Sequence, residues 1–313
     1  MTGIALGDPF AVRYDVPVAG GTLRTARSGP PPGEADAVVL AVHGVTSSLE
    51  IWRSIARELS ARTRLALIAP DLRGRGRSRT LPGPYGITAH LADLIDVLDE
   101  AGAPRAIVVG HSLGAFVAAG LAVEHAERVA GLVLLDGGLP VPPIPGSDLD
   151  ELLEEMFDTA FLRSDTTCRS LDEYAESWRA HPAFADGWDD DVDAYSRYEA
   201  AGDSGEVRLA MSPAAVRADL TDLTYNARTA TAIERASVPT RLLRAARGMH
   251  DEPFPLLPRP IVDAFLAARP DALVEEVPDV NHYTIALGPG PGPGAVAAAI
   301  EAAAADQATS TSR

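Results

Sequence analysis

Ser112 is the residue best placed by its neighbours to do chemistry. The apolar run Ile107-Val108-Val109 leads into Gly110-His111-Ser112-Leu113-Gly114-Ala115, so a strand-like segment delivers a serine, flanked by glycines, straight into a helix-forming segment. This is the pattern of a nucleophile elbow, a strained turn that thrusts one side chain outward. Gly110 and Gly114, two residues either side of Ser112, leave room for strand and helix to cross. The Leu113 backbone N–H opens the helix, where unsatisfied donors and the positive dipole end favour a developing anion.

A serine hydroxyl needs a base to take its proton, and that base, a histidine, needs an orienting carboxylate. The chain has seven histidines. His90, His125 and His181 lie on or beside expected helices, remote from strand ends. His111 adjoins Ser112, but its side chain should point away from it at a strained turn. His43 opens a glycine turn and His250 precedes a candidate acid, which leaves His282 as the base. It lies in Asp279-Val280-Asn281-His282-Tyr283, a loop after the last expected strand. For the acid, Asp251 in Arg247-Gly248-Met249-His250-Asp251-Glu252 competes with Asp136, which directly follows the run Leu132 to Leu135; Glu252 is third. Both aspartates satisfy the chain order serine, acid, histidine. The Gly-x-x-Asp turn favours Asp251, because Asp136 has an evident structural use where the chain leaves its strand.

A second oxyanion donor is expected from His43-Gly44-Val45, after the apolar run Val38 to Val42, with the Val45 backbone N–H as the candidate beside Leu113. The glycine- and arginine-rich run Pro70 to Ser78 lacks the lysine and the serine or threonine of a Walker phosphate loop. It reads as a structural turn in which Asp71 pairs with an arginine. No metal site and no cofactor are expected; the single cysteine, Cys168, excludes an intrachain disulfide and a thiol cluster.

The elements that must position these residues follow from hydrophobic patterning. Strand-like runs at Val38 to Val42, Leu65 to Ile68, Ala106 to Val109, Leu132 to Leu135, Thr240 to Leu243 and Leu273 to Val277 alternate with amphipathic helical patterns. Such alternation predicts an α/β fold, a mostly parallel sheet with helices on both faces. Val12 to Val18 and Gly21 to Arg27 read as an antiparallel hairpin turning at Gly20-Gly21. Candidate groups then gather at the carboxyl ends of the strands, where open α/β sheets place their ligands.

After Leu135 about a hundred residues pass before the next strand, and helical patterns fill them. Ser147 precedes one, Ser170 with Glu173 forms a capping box before a second, and Ser212-Pro213 opens a third. The expected organisation is a core of residues 1–136 and 238–306, a helical acidic lid at 137–237, and a flexible tail at 307–313. The lid aromatics, among them Phe157, Phe161, Tyr174, Trp178, Phe184, Trp188, Tyr195 and Tyr198, are expected mostly to pack against one another and the core. The Gly-Pro alternation Gly288 to Gly294 should be neither helix nor strand interior, and Ala295 to Ala305 should be helix.

The formal net charge is −17 over 313 residues, and all 27 basic residues are arginine. Residues 147–206 carry 18 acids against 4 arginines, so most of the excess negative charge sits in the insertion. That balance argues against nucleic acid as a partner. No apolar run reaches the roughly 18 residues of a membrane span, and the first ten residues lack a secretory pattern, so a cytoplasmic location is expected.

With His43-Gly44, the Asp71-Leu72-Arg73-Gly74-Arg75-Gly76-Arg77-Ser78 turn, Gly110-His111-Ser112-Leu113-Gly114, Gly248-Met249-His250-Asp251 and Asn281-His282-Tyr283, the chain resembles the α/β-hydrolase superfamily from Val38 to its final helix. The resemblance implies a lid between the sixth and seventh strands. It also implies an acid after the seventh strand, Asp251, although other members place it after the sixth, at Asp136. Serine at the elbow departs from the epoxide hydrolases and haloalkane dehalogenases, which carry aspartate there. The expected function is a serine hydrolase acting on a small acyl substrate, a carboxylic ester or lactone; a thioesterase, a carbon–carbon bond hydrolase and a non-catalytic binding protein of the same fold are the alternatives.

Overall fold

The computed structural model describes residues 7–140, 151, 154, 167–202 and 205–311. Ten strands are described: β1 (Val12–Val18), β2 (Gly21–Ser28), β3 (Val38–Val42), β4 (Ala66–Pro70), β5 (Ala106–His111), β6 (Val129–Leu135), β7 (Ala200–Ala201), β8 (Arg208–Leu209), β9 (Thr240–Ala245) and β10 (Leu273–Val277). Eight of them form one sheet in the order β1-β2-β4-β3-β5-β6-β9-β10. β1 and β2 pair antiparallel, as do β2 and β4; every pairing from β4 to β10 is parallel. The strand order reverses between β3 and β5, which opens a crevice at their carboxyl ends. His43 and Ser112 emerge there.

The central strands are buried on both faces, and their residues sort by the two-residue period of a strand. Val39, Ala41, Ile107, Val109, Val133 and Leu135 join one apolar layer with Ile55 and Leu59 of α1 (Arg53–Arg62) and Val296 and Ile300 of the C-terminal helix Gly292–Thr311. Val38, Leu40, Val42, Val108, Leu132 and Leu134 join the opposite layer, with Leu94 and Leu98 of α2 (Ile87–Glu100), Val117 and Leu121 of α3 (Leu113–Glu124) and Val262 and Phe265 of the helix Arg259–Ala268.

Between β6 and β9 the described part of the insertion holds α4 (Leu171–Arg179), α5 (Asp190–Tyr198) and α6 (Pro213–Tyr225), followed by the short helices Ala227–Ala230 and Ala232–Arg235. Ser170 caps α4 by accepting from the Glu173 N–H, and Ser212 caps α6 by accepting from Ala215. The helix expected from Ser147 lies outside the described residues. The patterning missed the small antiparallel hairpin β7-β8, whose two-residue strands are too short to show alternation. Tyr174, Trp178, Phe184 and Tyr195 are buried in the first apolar layer, so the inner face of this segment is continuous with the core.

Two boundaries at the end of the chain differ from expectation. The C-terminal helix begins at Gly292, taking in Pro293 and Gly294, and runs to Thr311, beyond the expected helix end at Ala305 and into the expected tail. Proline is tolerated in a first helical turn, where its missing N–H would be unpaired anyway. At the other end, an ion pair from Arg241 to Asp306 (2.8 Å) ties the last turns to β9. No helix among the described residues is long and apolar enough to cross a membrane.

Candidate active site

Ser112 occupies the turn between β5 and α3 with φ 56° and ψ −120°, a conformation unusual for a residue with a side chain. The strain persists because its surroundings leave no slack. A Cβ on Gly110 would lie 2.3 Å from the Gly114 carbonyl oxygen, and one on Gly114 would lie 2.0 Å from that of Val42. The Ser112 N–H donates to Leu135 O (3.0 Å), fastening the elbow to the end of β6.

The residue that follows β6 is Asp136, completely buried and at φ 45°. Its N–H donates to Leu243 O (2.9 Å), and its Oδ1 accepts from the Ala245 N–H (3.1 Å), so β9 fixes both backbone and carboxylate. Oδ2 accepts from His282 Nδ1 at 2.7 Å. That bond assigns the proton to Nδ1 and leaves Nε2 with a free lone pair, the tautomer a general base requires.

The structure thus corrects the assignment of the histidine's partner. Asp251 does not reach the His282 ring: its Oδ2 pairs with Arg247 Nη2 (2.8 Å) and its Oδ1 accepts from Asn281 Nδ2 (3.1 Å). The physical reason is strand order. β6 lies between β5 and β9, so the first residue beyond β6 is already beside the elbow, whereas Asp251 sits six residues past the end of β9. Glu252 folds back on its own turn, accepting from the His250 N–H (2.8 Å).

His43 and His111 are framework groups. The His43 Nε2 accepts from the Leu72 N–H (2.9 Å) while Nδ1 donates to Gly44 O (2.8 Å), and burial pushes its pKa down to about 3. It is therefore neutral, and it fixes the Gly44–Val45 peptide. Gly44 itself faces Ser112: a Cβ there would stand 3.2 Å from Ser112 Cβ. His111 Nε2 donates to the His282 carbonyl (2.8 Å), and the two rings lie 4.6 Å apart; burial holds His111 well below the usual imidazole range. Its adjacency to Ser112 was visible in the sequence, but its reach to residue 282 was not.

Gly137 also escaped sequence reasoning. A Cβ there would come within 2.4 Å of the Ser112 carbonyl oxygen, so the chain leaving Asp136 can pass behind the elbow only without a side chain. Asp71 does not pair with an arginine side chain as expected. It accepts from the Leu49 and Arg77 N–H groups (2.8 and 2.7 Å) and from Tyr198 Oη of α5 (2.7 Å). Among the described residues no group of three or more histidine, cysteine or acidic side chains is gathered as a metal would need.

The turns carrying Ser112, Asp136 and Val45 lie at the carboxyl ends of the central strands, with His282 bonded to Asp136, and comparison with known proteins agrees with the fold that places them there. The model of the alpha/beta hydrolase family matches residues 38–299. Lipase LipV of Mycobacterium tuberculosis is 39% identical over 134 residues, 43% of this chain and 48% of that protein. Epoxide hydrolase B of the same organism is 36% identical over 136 residues, 42% of this chain and 38% of the relative. The matches thus span about half or less of the length of these curated relatives. Among solved structures, E-2-(acetamidomethylene)succinate hydrolase superposes with TM-score 0.74 at 21% identity, covering 92% of this chain and 97% of that one. The thioesterase domain from the curacin biosynthetic pathway gives TM-score 0.73 at 20% identity, covering 92% and 98%. With its sheet order, its elbow and a family match over most of its length, the chain belongs to the alpha/beta hydrolase family.

Proposed function

We propose that this protein is a serine hydrolase that cleaves a carboxylic ester or lactone through an acyl-enzyme, with Ser112, His282 and Asp136 as its triad. The observation that carries the reading is the strained Ser112, fastened by its N–H to the residue before a buried carboxylate that holds a histidine Nδ1 at 2.7 Å. Ser112 Oγ attacks the acyl carbon as His282 Nε2 takes its proton. Asp136 stabilises the imidazolium and keeps the ring in place, and the Val45 and Leu113 N–H groups bind the oxyanion. His282 then returns the proton to the leaving alkoxide, and water repeats the sequence to release the acid. The described part of the insertion after β6, with its helices α4 to α6, borders the acyl site. Serine in place of aspartate at the elbow separates this chemistry from epoxide opening.

A fluorophosphonate probe should label Ser112 in the wild-type protein and nothing at that position in Ser112→Ala. Turnover of p-nitrophenyl esters by Ser112→Ala should fall by on the order of 10⁴-fold or more. Near-normal hydrolysis by a pure Ser112→Ala preparation would end the serine mechanism. The acidic insertion should also favour neutral esters over coenzyme A thioesters of the same acyl chain. Efficient, salt-insensitive turnover of the thioester would overturn that preference.

A further inference from the structure

Arg75 is among the largest fully buried side chains, and nothing in the proposed chemistry uses it. Its Nε donates to Val45 O (2.8 Å), its Nη1 donates to Arg73 O (3.0 Å), and its Nη2 pairs with Asp219, which is equally inaccessible. Asp219 lies on α6, in the inserted segment, and its carboxylate also accepts from His90 Nε2 of α2 at 3.0 and 3.1 Å. A wholly buried ion pair is a poor source of stability, because desolvation offsets its Coulombic gain. What it holds in place is therefore the informative question.

It holds the backbone at Val45. A trans peptide is planar, so its C=O and N–H point in opposite directions and fixing one aims the other. His43 Nδ1 holds the Gly44 carbonyl, which aims the Val45 N–H, and Arg75 holds the Val45 carbonyl in the next peptide. Both planes flanking Val45 are thereby set. The helix that supplies Asp219 is itself fastened to the same turn. Ser212 N–H donates to Gly74 O (2.7 Å), Gly76 N–H donates to Ala210 O (2.8 Å), and a Cβ on Gly74 would lie 2.3 Å from Ala215 Cβ. Val216 and Leu220 of α6 pack against the Val45 side chain.

We infer that α6 is a working part of the oxyanion hole: Asp219, acting through Arg75, positions the Val45 peptide for the transition state. Arg75 and Asp219 are positioning residues, and this part of the insertion is a fixed wall of the site. The inference rests on the serine-hydrolase reading above and adds to it a dependence of the oxyanion donor on the insertion.

The double variant Arg75→Met/Asp219→Leu removes both charges at once, so neither is left buried alone. Its kcat on a p-nitrophenyl ester should fall about 10- to 100-fold, less than the loss of an oxyanion donor outright, with KM nearly unchanged. Affinity for a trifluoromethyl ketone, whose carbonyl becomes an oxyanion when Ser112 Oγ adds to it, should fall by the same factor as kcat/KM. A purely structural role would not produce that parallel. If kcat/KM and ketone affinity both stay within about twofold of wild type, the inference is overturned. Should the double variant not fold, His90→Leu and His90→Gln decide: the leucine should lower kcat and ketone affinity severalfold, and the glutamine, which retains a donor for Asp219, should recover most of the loss. Equal behaviour of the two overturns the inference. Fluorophosphonate labelling of wild type runs in parallel. A wild type that neither labels nor turns over esters removes the serine-hydrolase reading and this inference with it; a labelled wild type beside an unaffected variant removes this inference alone.

Discussion

The turns after β6 and β9 each carry an aspartate with positive φ, 45° at Asp136 and 68° at Asp251, and each sends a carboxylate oxygen toward the same loop. Their environments diverge. Asp136 is sealed, with one oxygen on the Ala245 N–H and the other on His282. Asp251 keeps a fifth of its side chain exposed, shared between Arg247 and Asn281. Residue type and backbone conformation therefore do not decide which acid meets the histidine. The neighbour does: β6 adjoins the strand that carries Ser112, and β9 stands one strand further out.

The sharpest way to break this contrast is Asp136→Asn. The Ala245 N–H would still require an oxygen, so the amide nitrogen would face His282 Nδ1 and donate to it. The imidazole proton would be driven to Nε2, and kcat should fall on the order of 10⁴-fold, as in a serine protease with the same change. Circular dichroism should show an intact fold. A variant that kept more than a tenth of wild-type kcat would remove Asp136 from the triad.

Gly137→Ala perturbs the same turn without touching a titratable group. The new Cβ would meet the Ser112 carbonyl oxygen at 2.4 Å, so the elbow or the Asp136 turn must shift. A displacement near 1 Å in a catalytic array costs about 10²-fold in rate. The expected outcome is a loss of that order in kcat/KM together with a lower urea midpoint. An unaffected rate would mean that the passage behind the elbow has room to spare.

Sealed polar groups differ from one another in pH response. Asp136 holds a histidine ring, but His43 hydrogen-bonds backbone groups alone and is held neutral by burial down to about pH 3. Between pH 6.5 and 3 the unfolded chain binds a proton at this site that the native state refuses. Its contribution to stability is thus full above 6.5 and is lost as pH falls, by up to about 1.4 kcal/mol per unit. His111 acts in the same direction. Asp71 opposes them: burial raises it to about 6, so its contribution is lost as pH rises from 3.8 through 6. His43→Gln should show a smaller drop in urea midpoint between pH 7 and 5 than wild type does. Equal drops would contradict a neutral, buried His43.

The tight turn at Ser112, the loop at His282 after the last strand and the positions of the large strands along the chain were legible, because each depends on local pattern. A serine between glycines after an apolar run needs only a dozen residues to be recognised, and strands buried on both faces announce themselves as apolar runs. The choice between Asp136 and Asp251 was not legible, since it depends on which strands lie side by side. The same holds for His111 on the His282 carbonyl and for Arg75 on Asp219, contacts between residues 171 and 144 positions apart. The run Pro70 to Ser78 is instructive here. Sequence reasoning took it for a turn with one Asp71 to arginine pairing, but Asp71 binds backbone donors and Tyr198, and Arg75 finds its acid on a helix of the insertion.

The smallest expected effect belongs to Asp251. Its Oδ1 accepts from Asn281 Nδ2, which also donates to Ala183 O at 2.8 Å, while Asn281 Oδ1 accepts from the Tyr283 and Thr284 N–H groups at 3.0 Å each. Asp251 thus braces the loop that carries His282 from outside, through a side chain that already has three other partners. Its pairing with Arg247 is partly exposed and salt-screened, and such pairs contribute about 0–1 kcal/mol. Asp251→Asn keeps an acceptor oxygen for Asn281 and should cost less than about tenfold in kcat and about 1 kcal/mol in stability, the latter diminishing in high salt. Measured beside Asp136→Asn, the two losses should differ by about three powers of ten or more. A crippled Asp251→Asn next to an active Asp136→Asn would mean that the acid working in solution comes from the turn after β9, and that the 2.7 Å contact to Asp136 is a resting arrangement the substrate displaces.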